Sequence, residues 1–371
     1  MIRTLTAALL WLTTLTLAQA HEINPAIADV QVDGQTVTLD ITLSLEPLIA
    51  GIDLGRFTDT NAAPEADEYD RLRALTPQAL DGAFEDAWPH IREGFMIAVD
   101  GTRLVPAIER LDIVPNPNIE LTRESQLRLS AALPDGDAPV QVGWSSTYGP
   151  IVVRQSGEGD DLYAGFLDDG ALSSSLPRQG VAKRTSLEAF VEFLFVGFDH
   201  IIPRGLDHIL FVLGLFFFSM QLRPLVVQMT AFTFAHTITL ALATLGLVSV
   251  PASVVEPLIA ASIVYVAVEN IFVREMKPWR LPLISGFGLL HGLGFASVLA
   301  DWGLSSGSFV ASLVGFNVGV EIGQLAVILA AFLTVGFWFG KKPWYHTAIA
   351  TPASIVIAAF GAFWVVERTL L

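Results

Sequence analysis

The fold is decided by two apolar stretches, PRGLDHILFVLGLFFFSM at residues 203–220 and LVVQMTAFTFAHTITLALATLGL at residues 225–247. Each is about 20 residues long, the length that a helix needs to cross the hydrocarbon core of a bilayer. A backbone in lipid must also satisfy its own hydrogen bonds, so such runs become helices. Similar runs follow at 253–273, 281–300, 308–338 and 347–366. We therefore predict an α-helical polytopic membrane protein with about six transmembrane helices.

The composition of the 371 residues agrees with a membrane protein. Hydrophobic residues make up 52% and charged residues 16%, where globular domains have roughly 25% charged residues. The net charge of −16 argues against a nucleic-acid partner, which requires a basic face. The absence of cysteine excludes disulfides, Cys-ligated zinc and iron–sulfur clusters. Any metal site must therefore use His, Asp, Glu, amide or backbone ligands.

The first residues are typical of a secretory signal peptide. Residues 1–20 combine Arg3, an apolar stretch and the small-x-small sequence Ala18-Gln19-Ala20. An uncleaved first membrane helix is the alternative. Cleavage after Ala20 would leave His21 at the mature N-terminus, where its amine and ring could chelate copper.

The segment between this leader and the spans predicts an exported domain. Residues 21–185 hold 27 acidic and 12 basic residues, against 10 and 8 in residues 186–371. Alternating polar and apolar residues over 28–43 predict a hairpin around Asp33-Gly34. Further strands are expected near 95–100, 103–108, 125–132, 139–144, 150–155 and 162–166, with a helical insertion at 64–93. We predict an acidic β-rich, sandwich-like domain at 21–172, a linker at 173–185 and a membrane domain at 186–371.

Loop charges predict the orientation in the membrane. If the acidic domain is exported, the inner loops hold Arg223, Arg274, Lys277, Arg280, Lys341 and Lys342. The outer loops at 248–252 and 301–307 hold no basic residue. This asymmetry follows the positive-inside rule. We expect a bacterial-type inner (plasma) membrane, with the N-terminal domain and the C-terminus on the periplasmic side. Residues 186–199 are interpreted as an amphipathic helix that leads into the first span.

Histidines in the spans are the strongest functional signal. Four of the seven fall in or at spans: His200, His208, His236 and His291. Ionisable groups at mid-bilayer cost at least roughly 2.5–3.5 kcal/mol and are usually functional. Asp207 beside His208 suits a metal site, because carboxylates orient neutral imidazoles. The alternatives are an Asp–His pair that only caps its helix, and a His236 that only hydrogen-bonds between helices.

Glycines at four-residue spacing predict close helix packing. Gly288 and Gly292 lie in the fourth span, and Gly315, Gly319 and Gly323 lie in the fifth. Because this spacing lets helices approach closely, we expect the two spans to pack together and to bring His291 near Glu321. Such a motif alone more often serves packing than function.

The candidate metal ligands are His200, Asp207, His208, His236, His291 and Glu321. A second set of polar residues is assigned to the pathway or to the support of the ligands: Asp199, Thr233, Glu256, Glu269, Asn270, Asn317 and Gln324. Glu256, near a span end, could instead reach water. The sequence leaves open whether these groups form a path through the membrane or one closed site.

Several of these motifs together resemble the HupE/UreJ-like membrane proteins. They are HIIPRGLDHILF at 200–211, AFTFAHTITL at 231–240, VEN at 268–270, GLLHGLGFA at 288–296 and FNVGVEIGQ at 316–324. The acidic domain resembles that of the longer members with an exported N-terminal domain. The resemblance implies nickel or nickel/cobalt permeation linked to hydrogenase and urease maturation. It also implies that His200, Asp207 and His208 match the family's metal motif, although the short permeases, with His-Pro-x-x-Gly-x-Asp-His, have one residue fewer between His and Asp.

Three functions fit these observations. The first is a permease for a divalent transition metal such as Ni, Co, Zn or Cu, since imidazole and carboxylate suit all of them. The second is an intramembrane metal-dependent hydrolase that acts on a lipid or a membrane peptide. Its ligands would be Asp207-His208, His236 and His291, with Glu321 as base or orienter. The third is a metal-linked sensor or assembly factor whose exported domain binds a periplasmic protein partner.

Overall fold

The computed structural model describes residues 25–370, apart from residues 58–59, 117, 119–121, 158–161, 274, 296–298 and 300–307. The predicted signal peptide and the predicted copper ligand His21 lie outside the described residues. The chain forms two compact units that divide between Lys183 and Arg184.

The first unit is β-rich, as predicted. Its strands are β1 (Ala26–Asp33), β2 (Thr36–Leu43), β3 (Phe95–Val99), β4 (Thr102–Leu104), β5 (Ala107–Ile113), β6 (Ser125–Ala132), β7 (Val140–Trp144), β8 (Ile151–Ser156) and β9 (Leu162–Leu167). One sheet has the order β5-β6-β2-β1-β8-β9 and the other the order β4-β3-β7. Its helices are α1 (Glu46–Ala50), α2 (Ala66–Arg73) and α3 (Pro77–Ile91), with 3₁₀ turns at Thr60–Ala62 and Ser146–Tyr148.

Alternation along the strands explains the core of this unit. Val30 of β1 and Leu39 of β2 are neighbours across the predicted hairpin, and both are buried. Apolar residues of both sheets belong to one hydrophobic core, including Ile97 and Val142. Burial of this apolar face is the main stabilising contribution. The strand predicted at 103–108 is divided into β4 and β5, because Pro106 between them has no N–H to donate.

The linker predicted at 173–185 is wrong for its first residues, which pack on this unit. The Ser173 N–H donates to a β7 carbonyl at 2.8 Å, and Leu176 is fully buried. Leu176 also exchanges two backbone hydrogen bonds with Val140, at 2.8 and 2.9 Å. The buried Arg178 donates to three backbone carbonyls. The serine-rich composition suggested a loop, but Leu176 has an apolar side chain that the core covers.

The second unit is helical. Its helices are α4 (Ser186–Ile201), α5 (Leu206–Phe218), α6 (Leu222–Thr244), α7 (Ala252–Phe272), α8 (Arg280–Gly294), α9 (Phe309–Phe339) and α10 (His346–Thr369). In α9 the segment Phe332–Gly336 is π-helical. Among the described residues, α6, α7, α9 and α10 are long and apolar enough to cross a membrane. The pair α4–α5 is bent by 71° and counts as a fifth candidate if it forms one broken span.

Two of the six predicted spans are therefore shorter than their apolar runs. The first, α5, has 13 residues, which correspond to about 20 Å of helix. The fourth, α8, has 15 residues, and most of the remainder of its predicted run lies outside the described residues. The four to five candidate spans thus support a membrane protein but do not confirm six crossings.

The helix predicted as a lead-in to the first span is α4, and it is an integral part of the helical unit. A capping box starts it: the Thr185 side chain accepts from the Glu188 N–H at 3.2 Å, and the Glu188 carboxylate accepts from the Thr185 N–H at 2.9 Å. This reciprocal pair satisfies backbone donors that a helix start leaves free. Along its length α4 packs closely against α9.

The predicted pairing of the two glycine stripes is wrong, because each stripe packs against another helix. A Cβ added at four of the five stripe glycines would overlap a backbone carbonyl of the partner helix, and one added at Gly323 would overlap the Ile201 side chain of α4. The contacts are Gly315 with Phe190 O, Gly319 with Leu194 O, Gly288 with Phe232 O, and Gly292 with His236 O. The close pairs are therefore α4–α9 and α6–α8. Four-residue glycine spacing indicates a close approach but carries no information about which helix approaches.

Gly319→Ala is expected to destabilise the helical unit by about 1–3 kcal/mol, because the new methyl group overlaps the Leu194 carbonyl. Gly286→Ala is the matched control, since a Cβ there meets nothing within 4 Å. That control should be neutral or stabilising by up to about 1 kcal/mol, because alanine favours helix. Thermal unfolding in detergent measures both variants. Equal midpoints would contradict the close α4–α9 contact.

Candidate metal centre

Four helices bring the predicted histidines together. His200 lies in the last turn of α4, His208 in the first turns of α5, His236 in α6 and His291 in α8. The bend between α4 and α5 turns the first two rings toward each other. Gly205 permits this bend, because a Cβ there would overlap the His200 carbonyl oxygen. Ring centroids are 4.9 Å apart for His200–His208 and His208–His291, 5.9 Å for His208–His236 and 6.4 Å for His200–His236.

These side chains form two overlapping groups of donors. His200, His208 and His236 each offer one ligand atom, and these atoms lie within 4.8 Å of one another. Asp207, His208 and His291 meet the same criterion. His208 is common to both groups. Together the two groups hold four imidazoles and one carboxylate, which are the donor types that borderline divalent metals prefer.

Asp207 fixes the orientation of His208. Asp207 Oδ1 accepts the His208 backbone N–H at 2.8 Å and lies 3.1 Å from His208 Nδ1. Because a carboxylate only accepts, Nδ1 of a neutral ring carries the proton. The lone pair is then on Nε2, which is buried and has no hydrogen-bond partner among the described residues. This is the arrangement that carboxylates impose on metal-binding histidines.

Ser262 of α7 fixes His291 in the opposite tautomer. The Ser262 hydroxyl donates to the Ile259 carbonyl at 2.6 Å, and its oxygen lies 3.1 Å from His291 Nε2. With its only proton used, this hydroxyl must accept from Nε2–H. The lone pair of His291 is then on Nδ1, which is buried and has no hydrogen-bond partner among the described residues.

Aromatic rings surround the donors. Phe295 lies 4.4 Å from His200 and stacks on Phe316 at 5.2 Å, measured between ring centroids. Phe211 and Phe232 lie 5.3 and 4.9 Å from His291. Apolar walls make charge costly, and a neutral imidazole is the state that binds a metal. The ring nitrogens that are buried without a hydrogen-bond partner among the described residues could therefore hold a cation.

Three of the predicted supporting residues lie on or near this cluster. Thr233 donates to Gln324 Oε1 at 3.0 Å, and so ties α6 to α9. The Asn317 side chain lies near the His236 ring and donates to the Leu313 carbonyl of its own helix at 2.8 Å. The Thr233–Gln324 hydrogen bond holds α6 against α9.

Glu321 lies apart from the donor groups. It accepts from Thr230 at 2.6 Å, and among the described residues it belongs to neither group. The expected approach of His291 to Glu321 is therefore wrong, since His291 lies with Asp207 and His208 instead. The reason is the helix pairing, because α8 packs on α6 and α9 packs on α4.

The remaining predicted residues also lie outside both donor groups. Asn270 donates to the Gly214 carbonyl at 2.7 Å, where α5 meets α7. Glu256 is exposed and lies 3.9 Å from Arg368. Asp199 is half-buried, immediately before His200. Glu269 is buried in an ion pair with Arg280.

Arg280 is a buried residue that the sequence reasoning assigned to a loop. Its Nε donates to Gln228 Oε1 at 2.9 Å, and its guanidinium lies 3.6 Å from the Phe218 ring centroid. With the Glu269 ion pair, Arg280 joins α5, α6, α7 and α8. The sequence did hold a signal for this buried arginine, because a carboxylate as deep in the bundle as Glu269 requires a cation beside it.

Asp207→Asn is expected to weaken metal binding by about 10–100-fold, because an amide no longer holds His208 in one tautomer. Glu256→Gln is the matched control, with the same change of charge in an exposed pair. Titration of the purified protein with Ni²⁺ or Co²⁺ measures both affinities. An unchanged affinity in Asp207→Asn would remove this carboxylate from the site.

The four to five apolar candidate spans are those of a membrane protein, and its clustered His and Asp side chains could hold a metal ion. The sequence profile of the family described as HupE / UreJ protein matches residues 177–368. The chain belongs to this family, and the predicted resemblance is confirmed. No curated protein and no solved structure matches the chain.

Proposed function

We propose that this protein is a membrane permease for a divalent transition-metal ion of the nickel/cobalt type. The observation that carries the proposal is the pair of donor groups that share His208. Family membership supports it, since HupE/UreJ proteins are generally related to nickel and cobalt transport. Nitrogen donors with one carboxylate suit these ions, although the same donors also accept Zn²⁺ and Cu²⁺.

Overlapping groups suit an ion that moves. A permeating ion must bind well enough to enter and weakly enough to leave, and it does so by passing between adjacent sites. An ion held by His200, His208 and His236 keeps one ligand while it exchanges the others for Asp207 and His291. The cost of removing the ion from all its ligands at once is thereby avoided.

The hydrolase alternative receives less support from the described residues. Such an enzyme requires a carboxylate or similar base beside the metal-bound water. Asp207 is itself a member of one donor group and also orients His208, and Glu321 lies outside both groups. Substitution of Glu269 would not separate the permease from the hydrolase, because its loss would also leave Arg280 without its anion.

The proposed topology places the protein in a bacterial-type inner membrane. In this topology the short helices α5 and α8 belong to the first and fourth of six crossings. The basic loops lie on the cytoplasmic side, as the positive-inside rule requires. The acidic N-terminal domain then lies in the periplasm, where its negative charge raises the local concentration of cations. A periplasmic protein partner of that domain is part of the same proposal.

Proteoliposome uptake of Ni²⁺ and Co²⁺ tests the proposed function. Wild-type protein should give saturable uptake, and His236→Ala should lose it. His346→Ala is the control, because this histidine belongs to neither donor group. One ion per chain that survives a chelator wash, without uptake, would overturn the permease and favour a catalytic or structural site.

A further inference from the structure

A second polar site lies where α6 and α8 begin. Gly288 packs on the Phe232 carbonyl and Gly292 on the His236 carbonyl, four residues further along both helices. Contacts that advance together in this way mean that the two helices run parallel. The starts of α6 at Leu222 and of α8 at Arg280 therefore lie side by side at one end of the pair.

The N-cap side chain accepts no hydrogen bond from the first turn of α6 or of α8. At the start of α8 the Arg280 N–H donates to the Lys277 carbonyl at 3.1 Å, so only part of the first-turn donors stay uncapped. The first turn of a helix carries unsatisfied N–H groups and the positive end of the helix dipole. Two such ends at one place favour an anion.

A pocket of about 470 Å³ lies at these helix starts, and basic side chains line it. Arg223 and Lys277 are exposed, and the nearest acid to Lys277 is the exposed Glu275 at 3.5 Å. Arg280 forms the buried side of the pocket. Its Nε and Nη1 bond to Gln228 and Glu269, whereas Nη2 is buried without a hydrogen-bond partner among the described residues.

The rest of the pocket lining is apolar. Val227, Met276 and Leu281 line it and are 48%, 41% and 37% exposed. Exposed apolar side chains beside basic ones match an amphiphile with a charged head and a hydrocarbon body. A small inorganic anion would leave this apolar surface uncovered.

We propose that this pocket binds the phosphodiester head group of an anionic phospholipid. Arg223 and Lys277 would contact the phosphate oxygens, with the helix starts behind them and Arg280 at the buried side of the pocket. The acyl-glycerol part would cover the apolar lining. Basic pockets between transmembrane helices are a recognised setting for such head groups. The site uses no residue of the metal-donor groups and does not depend on the proposed transport.

The test compares lipids on the full-length protein purified in a neutral detergent. Phosphatidylglycerol, phosphatidylcholine and inorganic phosphate are added at equal phosphorus concentration, and the thermal unfolding midpoint is followed. Phosphatidylglycerol should raise the midpoint in a saturable way. The double variant Arg223→Gln/Lys277→Gln should require about 30-fold more of this lipid, as expected for the loss of two basic contacts.

The matched control is Lys341→Gln/Lys342→Gln, which removes the same charge from exposed residues outside the pocket. It should respond to phosphatidylglycerol as the wild type does. An equal loss of the phosphatidylglycerol effect in both double variants would overturn the pocket and indicate that diffuse surface charge attracts the lipid. An equal rise in the unfolding midpoint with phosphatidylcholine would show that the head group need not be anionic. An equal rise with inorganic phosphate would show that the site binds a free anion and not a lipid.

Discussion

His208→Ala is expected to weaken Ni²⁺ and Co²⁺ binding by more than about 100-fold, because this ring belongs to both donor groups. Its effect should exceed the roughly 10–100-fold expected when only a supporting contact of a ligand is lost. Equilibrium dialysis of the purified protein measures the affinity. His346→Ala is the control for a histidine outside the groups.

Single substitutions of the other ligands make this prediction specific. His200→Ala and His291→Ala each remove a ligand from one group only. Each should therefore leave binding at the other group, with a smaller loss than His208→Ala. Equal losses for all three variants would contradict two overlapping groups and favour a single closed site.

Arg280→Leu is expected to destabilise the helical unit by about 3–5 kcal/mol. The substitution leaves the Glu269 carboxylate buried without a cation, and removing one partner of a buried ion pair is costly. The unfolding midpoint in detergent should fall. Metal affinity of the protein that stays folded should be unchanged, because neither residue belongs to a donor group.

The double variant Arg280→Leu/Glu269→Leu should recover much of this loss. Replacement of a whole buried ion pair by apolar residues is often neutral, since no uncompensated charge remains. Lys341→Leu is the control for an exposed basic residue of the helical unit outside the pocket. A double variant as unstable as the single one would show that Arg280 acts through Gln228 and Phe218 rather than through Glu269.

Local sequence patterns predicted the elements of the fold well, and their partners poorly. The alternation of polar and apolar residues predicted β1 and β2, and the apolar runs predicted α6, α7, α9 and α10. Each of these patterns depends only on which residues of that one element are buried. The pairing of α4 with α9 was missed. Residues 186–199 are separated from Gly319 by more than a hundred residues, and nothing in a glycine stripe identifies the surface that covers it.

The same distinction applies to the site. The histidines and Asp207 were identifiable because polar groups in apolar runs are costly and stand out. Their arrangement depended on which helices touch, so the sequence placed His291 near Glu321 although the structure places it with Asp207. Arg280 was missed for a different reason. Charge counts assign a basic residue at a span end to a loop, whereas its burial depends on Gln228 and Glu269 in other helices.

The glycine contacts have a consequence for suppressor genetics. At Gly319 and Gly288 the nearest atom is a carbonyl oxygen of the partner helix, which every residue type carries. A larger residue at either glycine therefore cannot be compensated by a smaller side chain at Leu194 or Phe232. Second-site revertants should map to positions that let the helices separate, such as loops, and not to the residue opposite. These glycines would then be intolerant to substitution even in a chain that otherwise varies freely.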